Sequence, residues 1–212
     1  SRYAGPTRPF PPAASRAVFL FPQNFCEDDM IDRYTRPEMG ALWTLESRFR
    51  SWLDVELAVC RAWNRLGVID DATLKEILDK ADFDVDRVLE IEETTRHDMI
   101  AFLTAVEEKV GPSSRFIHLG CTSSDIVDTA NALLLVRAGK MLLADVDLLL
   151  GSIKDLAMRH KGQLCMGRTH GLHPEPTSFG LKMATFYAEF SRDRARFAPA
   201  VEGLRGGQIP GA

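Results

Sequence analysis

From Leu42 onward, apolar side chains return every three or four residues: Leu42, Leu45, Phe49, Trp52, Val59, Trp63 and Leu66, with Gly67 ending the run. That is the period of an amphipathic α-helix. Just upstream, Thr35-Arg-Pro-Glu38 has the form of a capping box, with Pro37 in the first turn, where its missing N–H costs nothing. The pattern predicts helix from Thr35 to about Leu66. Glu56 interrupts the apolar stripe and is expected at its edge, reaching water.

The same reading continues down the chain. A short helix is predicted over Ala72–Lys80, and another from Asp84, a plausible N-cap, to about Glu93. Thr94 to Asp98 mark a break and restart, with Thr95 and Asp98 at capping-box spacing. The next helix runs to about Val110 and closes at Gly111-Pro112. The longest periodic segment, Asp125–His160, holds 36 positions without a proline and would span about 54 Å as a helix. So long and apolar a helix must pack against others. Gly139 and Gly151 inside it mark candidate close helix contacts. A last helix covers Ser178 to about Val201. Only Phe116–Leu119 and Gln163–Met166 look strand-like, and both are short. Pro174 and Pro176 exclude a regular helix from the stretch MGRTHGLHPEPTSFG, so His170 and His173 cannot share a helical face. The expected fold is all-α: an N-terminal helical domain over 30–121, then the first long helices of a central bundle over 122–212. Too few antiparallel partners follow the long helix, so the chain reads as truncated and its bundle as oligomeric.

Composition changes this picture little. The 212 residues are 45% hydrophobic and 26% charged, with net charge −4. That balance gives no reason to expect a nucleic-acid partner, and no apolar run is long enough to span a bilayer. Four cysteines, Cys26, Cys60, Cys121 and Cys165, lie far apart with no CxxC pair. They argue against a disulfide framework or a zinc knuckle and fit a reducing, cytoplasmic setting. Residues 1–29 differ from the rest, with five of the eleven prolines and no helical period. They read as a disordered or artificially appended leader, with Met30 as the natural start.

Four polar clusters fall at breaks between predicted helices. Arg33-Tyr34 offers a guanidinium and a phenol, able to bind phosphate, although a solvated surface pair explains it as well. Arg96-His97-Asp98 combines an anion anchor with a titratable group beside a carboxylate; routine charge pairing at a helix start is the alternative. Thr122-Ser123-Ser124-Asp125 places N–H groups, hydroxyls and the positive helix end together, which suits a carboxylate or phosphate. The same residues are also ordinary N-caps. In the fourth cluster, Cys165, His170 and His173 lack the spacing and partners of a metal site, and nothing marks Cys165 as a nucleophile. General acid–base chemistry by a histidine in a proline-bounded loop, oriented by Thr169, and a satisfied loop histidine both remain open.

The segments MIDRYTRPEMGALW, WLDVELAVCRAW, ETTRHDMIAF, LGCTSSDIVDTA and MGRTHGLHPEPTSFGLKMA, in this order, resemble the adenylosuccinate lyase family of the fumarase/aspartase superfamily. The resemblance covers residues 30 to about 212. RTHG alone marks the superfamily; RHD and GLHPEP select the adenylosuccinate branch. It implies a substrate-binding role for Arg33 and Tyr34 at the nucleotide end, and for Arg96 and Asp98. His97 would position substrate near the reacting bond, Thr122 and Ser123 would hold the succinyl portion, and Thr169 would bind substrate beside His170, the general acid. His173 carries no catalytic role by this likeness. The implied reaction is β-elimination of fumarate, from adenylosuccinate to give AMP and from the succinylcarboxamide imidazole ribotide to give its carboxamide, in purine nucleotide biosynthesis. No metal or organic cofactor is implied. Family sites are assembled from three subunits of a homotetramer. The chain departs from the family in lacking the Ser-Ser-x-Met-Pro loop with its general-base serine, the later bundle helices and the third domain. Pro174 replaces an Ala, and Pro210 stands in a stretch that more often reads Ser-Gly-Ala. The resemblance therefore implies that this chain alone is inactive. Another fumarate-releasing lyase, such as argininosuccinate lyase or aspartase, and a non-catalytic helical module are the other readings.

Overall fold

The computed structural model describes residues 31–211. The leader, Met30, Cys26 and Ala212 lie outside the described residues.

The first predicted helix is broken into pieces. A 3₁₀ turn (Asp32–Tyr34) leads into α1 (Pro37–Gly40), a second 3₁₀ turn (Ala41–Trp43) and then α2 (Leu45–Arg65). The reason is a competing cap: Thr44 is extended (φ −74°, ψ 159°), and its side chain accepts a hydrogen bond from the Ser47 N–H at 3.2 Å. The capping box predicted at Thr35 does not form. Its hydroxyl instead donates to the Ile31 carbonyl, and Glu38 takes the Arg36 Nε at 3.1 Å. Farther along, α3 (Asp71–Lys80), α4 (Val85–Thr95) and α5 (Asp98–Val110) follow. Asp70 and Asp84 cap α3 and α4 by accepting the Thr73 and Arg87 N–H groups at 2.8 and 3.0 Å. The predicted strand at Phe116–Leu119 is absent, since a 3₁₀ segment (Gly111–Phe116) runs straight into a turn there.

The core is centred on aromatic side chains of α2, α5 and the α3–α4 connection. Phe49, Trp52, Phe83 and Phe102 form a buried aromatic cluster with centroids 5.2 to 5.9 Å apart, mostly edge to face. Each such pair contributes about 0.5–1.5 kcal/mol beyond its area burial. Ile77, Val88, Met99 and Val106 complete it from α3 to α5, and Ile126 and Ala130 bring in the start of the longest helix. Glu56 is the exception to its predicted place. It is fully buried, and its carboxylate is satisfied by His118.

That longest helix, α6 (Ser123–Arg159), has 37 residues and a length of about 55 Å. A short antiparallel hairpin follows, β1 (Leu164–Met166) against β2 (Pro176–Ser178), paired Leu164 to Ser178 and Met166 to Pro176. α7 (Phe179–Gly203) then returns along α6, with Ser178 as its N-cap. Gly139 is a point of close approach, because a Cβ there would lie 2.6 Å from a Val201 methyl. Gly151 is not; a Cβ on it meets nothing within 4 Å. Near the middle of α6, Asp145 accepts the Arg36 guanidinium at 2.5 Å, tying the entry of α1 to the bundle. Leu148, Met158, Leu181 and Phe186 stay exposed on the two long helices. Among the described residues, no helix is long and apolar enough to cross a membrane.

Candidate functional site

The break between α4 and α5 orients Arg96, His97 and Asp98. Arg96 ends α4 in the left-handed region (φ 52°), with its N–H on the Glu92 carbonyl at 2.8 Å. His97 is extended and precedes α5 without capping it. Asp98 is pinned from two sides: Oδ1 accepts the Met99 N–H, and Oδ2 accepts the Arg48 guanidinium, both at 2.7 Å. His97 Nδ1 stands 3.6 Å from Asp98 Oδ1, an ion-pair distance and no hydrogen bond. The Thr95 hydroxyl donates to the His97 carbonyl, so the Thr95–Asp98 capping box predicted from spacing is not made. Arg48 was not singled out in the sequence. Its Cζ lies over the Trp52 ring, 4.7 Å from the centroid, and it lines, with Trp43, Asn131 and Leu134, a cavity of about 220 Å³. Arg48, bonded to Asp98, thus ties that anchor to a cavity walled on its other side by the first third of α6.

Thr122 and Ser123 open α6. Asp125, three residues into the helix, accepts the Thr122 N–H at 2.9 Å and the Gly211 N–H at 3.2 Å, both on Oδ2. Asp125 is fully buried, and its Oδ1 has no hydrogen-bond partner. Behind this helix start lies a pair that sequence reasoning missed. Glu56 Oε2 accepts the His118 backbone N–H at 2.8 Å, and Oε1 meets His118 Nδ1 at 2.6 Å. The hydrogen bond to Glu56 raises the His118 pKa above its ordinary value, against the opposing effect of burial. Burial foremost, and then the Glu56 charge, push the neighbouring thiols up to about 12 for Cys60 and about 11 for Cys121. The available signal was the stripe itself: a carboxylate at a core position demands a buried partner.

The opening of the His170 loop is a two-residue hairpin. Thr169 and Leu172 exchange hydrogen bonds at 3.2 and 2.8 Å, and His170 (φ 50°) and Gly171 (φ 72°) both sit at positive φ between them. This is the geometry of a type I′ turn, which Gly tolerates freely and His better than most side chains. Below it, Gly167 donates to the Glu175 carbonyl at 2.9 Å, and a Cβ on Gly167 would press against that same oxygen. His170, His173 and Arg168 are exposed at the tip. Beside the hairpin, Arg168, Thr177, Lys182 and Thr185 border a groove of about 600 Å³.

The four clusters are thus not gathered into one pocket by a single chain. Arg33 and Tyr34 are exposed, the guanidinium stacked 4.8 Å from the phenol ring, near the middle of α6 through Arg36 and Asp145. Thr122 and Ser123 stand at one end of α6 and the hairpin base at the other. From Gln163, held on the His160 carbonyl at 3.0 Å, seven extended residues reach only about 24 Å. His170 therefore stays more than about 20 Å from Thr122. Among the described residues, no three His, Cys, Asp or Glu side chains converge as a metal's donor set would require. Arg96, His118 and His170 are the three non-glycine described residues at positive φ, and each lies within or next to a candidate cluster.

Comparison with known proteins gives this long-helix bundle its class. The profile of the lyase family matches residues 32–212, and the chain belongs to that family. It is 49% identical over 183 residues to adenylosuccinate lyase of Bacillus subtilis, covering 86% of this chain and 42% of that protein. The adenylosuccinate lyase of Aquifex aeolicus is 48% identical, with 86% and 43% covered. Among solved structures, 3-carboxy-cis,cis-muconate lactonizing enzyme from Pseudomonas putida superposes with TM-score 0.77 at 27% identity, covering 84% of this chain and 42% of that one. Fumarate lyase from Mesorhizobium sp. BNC1 gives 0.78 at 24% identity, covering 83% and 42%, a likeness of fold. The chain spans about two fifths of the length of the curated relatives it matches.

Proposed function

We propose that this chain supplies the acid and much of the substrate site of an adenylosuccinate lyase. The supporting observation is the Thr169-His170 pair, raised on a type I′ turn in a chain 49% identical to such an enzyme. In this reading a base removes a proton from the succinyl carbon next to the C–N bond. The resulting aci-carboxylate is held by Thr122, Ser123 and the N-terminus of α6, where N–H dipoles favour developing negative charge. Protonated His170 then gives its proton to the departing purine or imidazole-carboxamide nitrogen, and fumarate leaves. Arg33 and Tyr34 take the nucleotide end, while Arg96, His97 and Asp98 fix the substrate beside the bond that breaks.

The separation of His170 from Thr122 supports a site completed across copies, as in a homotetramer, with the base serine carried on a segment outside this sequence. The exposed apolar residues of α6 and α7 supply surface for such packing. The test is direct. A full-length protein containing this chain should release fumarate from adenylosuccinate and from the succinylated imidazole ribotide. Release from argininosuccinate or aspartate alone would replace this reading with another lyase of the same fold.

A further inference from the structure

Burying a carboxylate is unfavourable unless both oxygens are paired, and an apolar side chain of similar volume would pack α2 at lower cost. Glu56 is nevertheless fully buried in the middle of α2, with both oxygens on one residue, His118. His118 stands at φ 66°, a conformation that a side chain other than Gly holds only under constraint. The constraint propagates forward. The His118 carbonyl accepts the Cys121 N–H at 3.1 Å, Cys121 precedes Thr122, and the Thr122 N–H closes on Asp125. A second residue of α2 grips the same turn, since Trp63 Nε1–H donates to the Leu119 carbonyl at 2.9 Å.

We propose that Glu56 and Trp63 are positioning residues, which hold the turn 117–121 so that Thr122 and Ser123 meet the substrate's succinyl group. Neither touches substrate; each acts through the backbone of that turn. The inference rests on the reading of Thr122 and Ser123 given above. It also explains why a carboxylate interrupts the apolar stripe of α2. Reach is the essential property. One methylene fewer prevents a single side chain from spanning both the His118 N–H and Nδ1, whereas an amide of equal length can satisfy both.

The experiment uses full-length protein turning over adenylosuccinate, with fumarate and AMP as product inhibitors that report separately on the succinyl and nucleotide ends. Glu56→Asp should raise the fumarate inhibition constant about tenfold, in keeping with the steep cost of small misplacements in a site, and leave that of AMP within about twofold. Glu56→Gln, which keeps the reach, should stay within about threefold of wild type for both. Trp63→Phe removes only the second tether and should raise the fumarate constant about threefold, so the proposal remains testable should Glu56→Asp fail to fold. Equal rises for fumarate and AMP, or no rise in Glu56→Asp and Trp63→Phe, would overturn it, as would a larger effect from Gln than from Asp. Absence of wild-type turnover would overturn the proposed function and this inference together; wild-type turnover with unmoved constants would overturn this inference alone.

Discussion

The same substitution at two glycines of one helix should act with opposite sign. Gly139 and Gly151 both lie inside α6, where replacing Gly by Ala gains about 1 kcal/mol of helix propensity. At Gly151 nothing opposes that gain, because a Cβ meets no atom within 4 Å. At Gly139 the new methyl would sit 2.6 and 2.9 Å from the two Val201 methyls and 3.3 Å from its Cβ. Val201 is β-branched and buried within α7, so it cannot swing aside. Overpacking of this kind costs about 1–3 kcal/mol. Gly151→Ala should therefore stabilise the chain by about 1 kcal/mol, and Gly139→Ala should destabilise it by about 1 kcal/mol after the propensity gain. Denaturant unfolding followed by helical circular dichroism measures both. A cycle with Val201→Ala isolates the clash, since removing the methyls should let the Gly139→Ala gain appear. If Gly139→Ala stabilises as much as Gly151→Ala, the close crossing of α6 and α7 is wrong.

Three further outcomes follow from the site. Because the His118 pKa is raised by Glu56, the stabilisation from that pair is complete below the ordinary imidazole value near 6.5. It is lost as pH rises through the higher folded value, so the stability gap between wild type and Glu56→Gln should shrink as pH rises above about 6.5; a gap independent of pH would contradict the assignment. Cys60 and Cys121, pushed up to about 12 and about 11, should resist iodoacetamide at about pH 8 in a Cys26→Ser background, while half-buried Cys165 is alkylated. Mass spectrometry of the labelled peptides reads this, and rapid native labelling of Cys60 would refute it. In full-length protein, His170→Gln should lower kcat by about two to four orders of magnitude and His173→Gln far less; equal losses in steady-state assays would remove the distinction between them.

Periodicity carried most of the fold. The ends of α3, α4, α5 and α7 lie within a residue or two of where caps and glycines placed them, because apolar spacing and N-cap chemistry are local. The misses were of two kinds, competition between neighbouring caps and tertiary pairing. Thr35 and Thr95 had capping-box spacing, yet Thr44 and the αL turn at Arg96 set the helix boundaries instead. Phe116–Leu119 has strand-like composition but, among the described residues, no strand beside it to pair with. Glu56 was assigned to water because its partner lies 62 positions away, beyond any spacing rule. For the site, the clusters were legible as residue types at helix breaks. Their distribution along α6 was not, since a helix's length separates what the sequence merely orders.

The positive-φ residues connect that dispersed geometry to chemistry. A non-glycine side chain in such a region costs on the order of 1–3 kcal/mol, and glycine at the same position would relieve the strain. The chain instead keeps a guanidinium at 96 and imidazoles at 118 and 170. Each strained backbone is held by something that glycine would not need: the Glu92 carbonyl for Arg96, Glu56 for His118, and the Thr169–Leu172 pair for His170. At these positions the chain carries a functional side chain at the backbone's expense. A backbone required only to turn would have no use for ionisable groups at three of its positive-φ positions, where glycine serves at five others.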